Sequence, residues 1–152
     1  MQIQIVSSSP QATETLAEQL GKRLVGGELL ELVSDLGGGK TTFVRGLARG
    51  MGSPDIVTSP SFALANQYIA GKLTLHHFDF YRLSDPSIMQ HELREVIDDP
   101  FAVVVVEWPE IVSDIFDIPH PVISLRHSGE TERDIDVDSP DQYAYLFKNE
   151  AQ

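Results

Sequence analysis

Residues 29–43 read LLELVSDLGGGKTTF, and this stretch decides the fold. An apolar segment runs into three consecutive glycines, then into Lys40 and Thr41, after which an amphipathic pattern begins. Glycine has no Cβ, so a glycine-rich loop can curl its amide N–H groups around a phosphate at the N-terminus of a helix. The order strand, glycine loop and helix therefore predicts a phosphate-binding loop of the P-loop type.

The spacing of this loop follows the consensus G-x-x-x-x-G-K-[ST] except at its first position, where Ser34 replaces glycine. The alternative is a glycine-rich turn followed by Lys-Thr by chance, but the flanking strand and helix favour the P-loop. Lys40 would then reach the β- and γ-phosphates, and Thr41 would bind Mg²⁺. The expected cofactor-binding residues are Asp35, Leu36, Gly37, Gly38, Gly39, Lys40, Thr41 and Thr42.

Length and composition indicate a single domain over residues 1–152. A chain of 152 residues with 41% hydrophobic content can bury a core, and without cysteine it has no disulfides or thiolate metal sites. The first ten residues, MQIQIVSSSP, lack the basic and apolar segments of a signal peptide, and no segment reaches membrane-spanning length. We therefore expect a cytoplasmic protein with no membrane contact.

The chain is strongly acidic, with 23 acidic against 11 basic residues and a formal net charge of −12. Such a charge repels a phosphate backbone, so stable direct binding of RNA or DNA by this chain alone is not expected. The acidity serves either solubility or docking to a basic partner.

The remaining pattern predicts alternating strands and helices. Ser9-Pro10 and Ser84 are expected to begin helices, and Ala70-Gly71-Lys72 is expected to turn a hairpin. The predicted strands are residues 3–6, 29–33, 62–69, 73–80, 101–106, 121–127 and 133–137, and the predicted helices are residues 10–24, 40–51, 84–97 and a terminal one after Ser139-Pro140. The fold class is α/β: a three-layer P-loop NTPase-like domain whose mostly parallel sheet carries an added antiparallel hairpin.

Glu107 directly follows the segment FAVVVV, which is typical of a strand buried on both faces of a parallel sheet. Ligands of open α/β sheets lie beyond the carboxyl ends of the strands, where the P-loop also lies. Glu107 is therefore a candidate to hold Mg²⁺ opposite Thr41. The alternative is an acid that ends a strand by meeting solvent.

The segment 77–82, HFDFYR, places His77 and Asp79 on the same face as Leu75 of the predicted strand. There Asp79 could orient or deprotonate an attacking water, and Arg82 could neutralise charge on a transferred phosphoryl group. The alternative is an Asp–Arg ion pair at the strand end with His77 hydrogen-bonded in the core.

Four sequence blocks together resemble one family. They are DLGGGKTTFVRGL from Asp35, SPSF from Ser59, HFDFYRL from His77 and VEWPE from Val106, and they span residues 35–110 in the family's order. This combination resembles the bacterial TsaE family, formerly YjeE, of ATPases in tRNA threonylcarbamoyladenosine biosynthesis.

The resemblance implies an ATPase that binds ATP or ADP with Mg²⁺ and works with the TsaD and TsaB proteins. The resemblance further implies that TsaD would transfer the threonylcarbamoyl group to the adenosine beside the anticodon and that ATP hydrolysis would reset the complex between turnovers. tRNA is then contacted only indirectly. The residues carried over are Lys40, Asp79 and Glu107 as catalytic residues and Thr41 and Glu107 as metal ligands, with Trp108 in the core or at a partner contact.

Within this reading, Asp79 positions water for in-line attack while the loop, Mg²⁺ and Glu107 stabilise the β/γ charge. Asp79 could instead support the magnesium ion from its second coordination shell.

Three positions depart from the family pattern, which usually has glycine at Ser34, alanine at Gly38 and threonine at Ser61. Ser61 keeps a hydroxyl group that can contact a γ-phosphate. Ser34 adds a Cβ at a tight turn and is expected to weaken nucleotide affinity, while Gly38 loosens the loop.

Other functional classes remain open on the sequence. A small-molecule kinase shares the cradle, although residues 84–100 are acidic where a kinase usually has a basic lid. A GTPase is disfavoured because the sequence has no [NT]-K-x-D motif. A nucleotide-gated scaffold with vestigial hydrolysis is the third alternative.

Overall fold

A seven-stranded sheet organises the residues that the computed structural model describes, which are 1–35, 39–60, 65–80, 85–107 and 118–150. The strand order is β1-β7-β6-β2-β5-β4-β3. The neighbouring strands β6, β2, β5 and β4 pair in parallel, whereas β7, β1 and β3 join through antiparallel pairs at the two edges. The strands are β1 (Gln2–Ser7), β2 (Leu29–Ser34), β3 (Ala65–Ala70), β4 (Leu73–Asp79), β5 (Ala102–Glu107), β6 (Val122–His127) and β7 (Arg133–Asp138).

Helices cover both faces of the sheet, as the three-layer fold class predicts. They are α1 (Pro10–Gly21), α2 (Lys40–Met51), α3 (Pro86–Val96) and a C-terminal 3₁₀ helix (Asp141–Phe147). On one face α1, α2 and the 3₁₀ helix pack on alternate residues of the central strands, such as Leu30 and Val105. On the other face Leu93 of α3 packs with Leu29 and Val104. Successive side chains of each central strand point to opposite faces of the sheet, so each strand contributes to the hydrophobic core on both faces.

Strand β5 is buried along its whole length, so the prediction of a strand covered on both faces is confirmed. It begins at Ala102, one residue later than predicted, and Phe101 is more than half exposed. The hairpin β3–β4 also forms as predicted, turning at Gly71. Residues 62–64 of its first predicted strand lie outside the described part of the chain.

The helix boundaries follow their caps. Ser9 accepts a hydrogen bond from the Ala12 N–H as predicted, but α1 ends at Gly21, where the Lys22 N–H bonds back to the carbonyl of Glu18. The predicted cap of α3 at Ser84 is wrong. Asp85 caps this helix because its carboxylate accepts the Ser87 N–H and a proline follows directly, which begins a helix without needing a donor.

Helices α1 and α2 pack closely where glycine allows their backbones to approach. A Cβ on Gly46 would lie 2.3 Å from the Glu14 carbonyl oxygen and 2.6 Å from the Ala17 Cβ. Arg49 of α2 adds ion pairs of 2.8 Å to both Glu14 and Glu18 of α1. This contact fixes α2 against α1 and thereby sets the position of the first turn of α2.

A buried carboxylate ties the C-terminal 3₁₀ helix to the start of β2. Glu28 accepts hydrogen bonds from the N–H groups of Val25 and Gly26 and from the Tyr145 hydroxyl. Burial and the bond to Glu28 raise the pKa of Tyr145. The predicted terminal helix is therefore present as a 3₁₀ helix packed on the core.

A second buried pair joins β2 to the segment before β6. His120 Nε2 lies 2.7 Å from Glu31 Oε2, and both side chains are about one-tenth exposed. Burial alone would lower the pKa of His120, but its contacts with Glu31 and the Ile118 carbonyl outweigh burial and raise the pKa.

In the described ranges, no helix has the length and apolar character needed to cross a membrane.

Replacing Gly46 with alanine tests the helix contact. Helix propensity alone predicts stabilisation by roughly 1 kcal/mol, whereas overpacking predicts a loss of about 1 to 3 kcal/mol. We expect the overpacking loss in urea unfolding, because the neighbouring atoms at Gly46 include backbone of α1. Gly129→Ala is the matched control, since its Cβ would meet only the Glu132 side chain at 3.4 Å or more, and it should be near neutral. A more stable Gly46→Ala variant would contradict the close contact.

The pair between His120 and Glu31 predicts a pH-dependent contribution to stability. Because the pKa of His120 is raised on folding, the pair stabilises the folded state below about pH 6.5 and loses this contribution as the pH rises through the folded-state pKa. His120→Gln should cost about 1 to 3 kcal/mol at low pH and less in alkaline solution, measured by urea unfolding. The exposed-site variant His127→Gln serves as control, and a His120→Gln difference that grows with pH would oppose the assignment.

Candidate functional site

The predicted phosphate-binding loop lies between β2 and α2, at the carboxyl edge of the parallel strands. Strand β2 ends at Ser34 and α2 begins at Lys40, both as expected to within one residue. Gly39 is the N-cap residue with φ +98°, a left-handed conformation that favours glycine. Because glycine has no side chain to cap the helix, the first-turn amides of α2 are placed where a bound anion could take that role.

Ser34 fits the strand end without backbone strain. It is the last residue of β2, and among the described residues only glycines have a positive φ. Its hydroxyl donates to the Asp35 carbonyl oxygen at 2.8 Å. The Cβ of Ser34 therefore does not force an unusual backbone, and its expected effect on affinity stays a prediction.

Glu107 joins Lys40 and His77 in one buried constellation. The Lys40 ammonium lies 2.7 Å from Glu107 Oε1, and His77 Nε2 lies 2.6 Å from Glu107 Oε2. The side chains of Glu107 and His77 are only 3% and 1% exposed, so the acid does not meet solvent at its strand end as the alternative held. Lys40 and the acid at the end of β5 thus lie together at the carboxyl edge of the sheet, where the sequence placed both, although the sequence did not predict their direct contact.

The charge of Glu107 is stabilised by its two partners. Burial alone would raise the pKa of this carboxyl group, but the hydrogen bonds and charge interactions of His77 and Lys40 outweigh burial and lower it. Glu107 is therefore ionised at neutral pH although its side chain is almost fully buried.

Strand β4 carries His77 and Asp79 on one face, as its alternation predicts, but His77 is buried in the interior and does not lie at the rim. In the parallel register of β4 and β5, Asp79 is opposite Glu107 and His77 is opposite Val105. His77 is thus hydrogen-bonded in the interior, as one of the two sequence interpretations held, yet its partner belongs to the candidate site. Asp79 is partly exposed, so solvent reaches the acid beside Glu107.

Thr41 and Thr42 lie in the first turn of α2 and are partly exposed. A small cavity opens beside Gly39, lined by Pro10, Thr13, Gly39, Thr42, Thr131 and Arg133. Of its lining, the sequence indicated only Gly39 and Thr42. Arg133 begins β7, nearly a hundred positions along the chain, and no motif at this arginine marks its approach to the loop.

The described residues contain no cluster of three or more His, Asp or Glu side chains suited to a metal ion. A magnesium ion at this site would therefore draw part of its coordination from nucleotide phosphates and water, which is usual for this ion. Several predicted residues lie outside the described part of the chain, namely Leu36, Gly37, Gly38, Ser61, Arg82 and Trp108.

Comparisons with known proteins all point to one family. The family model described as threonylcarbamoyl adenosine biosynthesis protein TsaE matches residues 7–135. The TsaE protein of Treponema pallidum is 37% identical over 133 residues, covering 87% of this chain and 97% of its own. The TsaE protein of Bacillus subtilis is 35% identical over 130 residues, covering 84% and 79%.

Two further comparisons agree with these. The TsaE protein of Synechocystis is 38% identical over 102 residues, which are 65% of each chain. A crystal structure of YdiB from Bacillus subtilis superposes with a TM-score of 0.79 at 29% identity, covering 97% of this chain and 93% of the other. With these matches extending over most of its length, the chain belongs to the TsaE family of threonylcarbamoyl adenosine biosynthesis proteins.

Proposed function

We propose that this protein is an ATPase that acts with the TsaD and TsaB proteins in threonylcarbamoyladenosine modification of tRNA. Its ATP hydrolysis would reset that complex between turnovers. The observation that carries the proposal is the 2.7 Å contact between Lys40, at the start of α2, and Glu107, at the carboxyl end of β5. The contact joins the cation that we propose binds phosphate to the acid that we propose binds metal, where α2 follows β2 and the adjacent parallel strand β5 ends.

The residues at the site fit a nucleoside triphosphate with magnesium. The first turn of α2 offers backbone donors and the positive end of a helix dipole, and Lys40 adds a full charge. Thr41 and Glu107 are the groups that would hold Mg²⁺, which neutralises charge on the phosphoryl oxygens when it is bound.

Nucleotide binding would exchange the partners of Lys40. The ammonium group pairs with Glu107 in this structure, so it must turn from the carboxylate to reach the β- and γ-phosphates. The exchange leaves Glu107 with its bond from His77 and an oxygen directed toward the cradle. The lysine and the acid would then stabilise different parts of the reacting phosphates.

Asp79 is our candidate to position the attacking water. It lies beside Glu107 in the sheet register and is partly exposed, so water can reach its carboxylate. A carboxylate within hydrogen-bond reach of a water can orient it for in-line attack or accept its proton.

The partner assignment rests on family membership and on charge. With a net charge of −12, the chain is poorly suited to hold tRNA itself, so tRNA would be reached through the complex. TsaD would carry out the transfer of the threonylcarbamoyl group, and this chain would supply the nucleotide-driven step.

Steady-state ATP hydrolysis tests the proposal. We expect slow turnover by the chain alone and faster turnover with TsaB and TsaD from the same host. Lys40→Ala should reduce turnover by at least roughly 100-fold, because it removes a charge that stabilises the transferred phosphoryl group. The matched control is Lys72→Ala, in the exposed hairpin turn, which should keep the wild-type rate. ATP binding without turnover in any mixture would instead support a nucleotide-gated scaffold, and a phosphorylated metabolite would support a kinase.

The Asp79→Asn variant tests the role of this residue within the ATPase. We expect turnover in the full complex to fall about 100-fold or more while the ATP dissociation constant changes little, since asparagine cannot accept the proton of water. Asp98→Asn, an exposed acid after α3, is the control. Wild-type turnover in Asp79→Asn would exclude the water-positioning role, and rescue by added Mg²⁺ would assign Asp79 to the metal instead.

A further inference from the structure

His77 is buried at the candidate site, and the proposed reaction gives this side chain no direct role. Its side chain is 1% exposed, and its Nε2 lies 2.6 Å from Glu107 Oε2. A carboxylate oxygen only accepts hydrogen bonds, so the ring hydrogen on this side belongs to Nε2. The other nitrogen, Nδ1, finds no hydrogen-bond partner among the described residues. Within that part of the chain, Glu107 is therefore the hydrogen-bond partner that stabilises this buried histidine.

We propose that His77 is a positioning residue that orients the Glu107 carboxylate toward the nucleotide-bound metal. This inference rests on the proposed function. It assigns to the histidine a role through Glu107 and no contact with substrate.

The geometry gives the two oxygens of Glu107 separate tasks. Oε2 is held by His77 from β4, and Oε1 faces Lys40 at the start of α2. When Lys40 turns to the phosphates, Oε1 is the oxygen left facing the cradle, while the bond from His77 keeps the carboxyl plane fixed. A carboxylate whose other oxygen is already hydrogen-bonded in this way binds a metal more strongly, because its orientation is set before the metal arrives.

Burial makes this support necessary. If Lys40 turns away, His77 is the member of the constellation that stays bonded to a carboxylate whose side chain is 3% exposed. A buried carboxylate with too few donors does not keep a fixed orientation, and once rotated it no longer presents an oxygen to the metal. The bond from His77 holds this orientation during the exchange.

Binding of a non-hydrolysable ATP analogue, with Mg²⁺ or with EDTA, tests the inference without measuring turnover. The readout is the ratio of the dissociation constants in EDTA and in Mg²⁺, which reports how strongly the metal tightens binding. In His77→Leu we expect this ratio to fall about tenfold, as for other losses of a residue that supports a metal ligand. The dissociation constant in EDTA should change by less than about twofold, because the phosphate cradle is untouched.

The conservative variant and a neighbouring histidine are the controls. The amide nitrogen of His77→Gln can reach about where Nε2 lies, so this variant should keep most of the metal-dependent tightening, whereas the shorter His77→Asn should not. His76, the adjacent residue, is also buried but stacks against Phe78 on the opposite face, so His76→Leu should leave the ratio unchanged.

The outcomes separate this inference from the proposed function. An unchanged ratio in a folded His77→Leu, or equal weakening with and without metal, would overturn the positioning role. If His77→Leu does not fold, equal ratios for His77→Gln and His77→Asn would overturn it. A wild-type chain that binds no nucleotide would instead refute the proposed function, and the inference would fall with it.

Discussion

The buried carboxylate of Glu107 is the interaction on which the candidate site depends. An ionised group with 3% exposure is costly unless donors surround it, and here one donor comes from α2 and another from β4. Its two bonds connect the ends of three elements at a single point. Any error in the register of β4 on β5, or in the position of α2, would leave this charge unpaired. The acid therefore links the geometry of the site to the stability of the fold.

That point of connection is itself fixed by packing further away. Helix α2 starts where it does because its body lies close against α1, with Gly46 allowing the approach and Arg49 tying the two helices by charge. The parallel pairing of β2, β5 and β4 then brings Ser34, Glu107 and Asp79 to one edge of the sheet. A tightly packed interior can hold such a constellation within a few tenths of an ångström, which a surface loop could not do.

Local sequence predicted the parts of the site that have local causes. A strand, a glycine loop and a helix follow one another directly, and Glu107 ends an apolar run, so each could be placed from its neighbours. The pairing of His77 with Glu107 had no such signal, because thirty positions separate them and only the strand register brings them together. The approach of Arg133 to Gly39 also had no local signal, because only the fold brings these two residues together. The wrong cap of α3 arose where two capping residues, Ser84 and Asp85, stand side by side.

If the proposed function holds, the same constellation would also govern how an acidic chain binds an anionic nucleotide. At long range a charge of −12 repels phosphates, but salt screens this field over about 8 to 10 Å, so the local charges decide binding. Lys40 and the start of α2 would supply the positive groups, and pairing with Glu107 holds the lysine in place in the structure. The cost would be that nucleotide binding must break this pair. A loosely held lysine would avoid that cost, yet it would lose conformational entropy on binding. The bond from His77 would lower this cost, because Glu107 would keep one hydrogen-bond partner after Lys40 turned away.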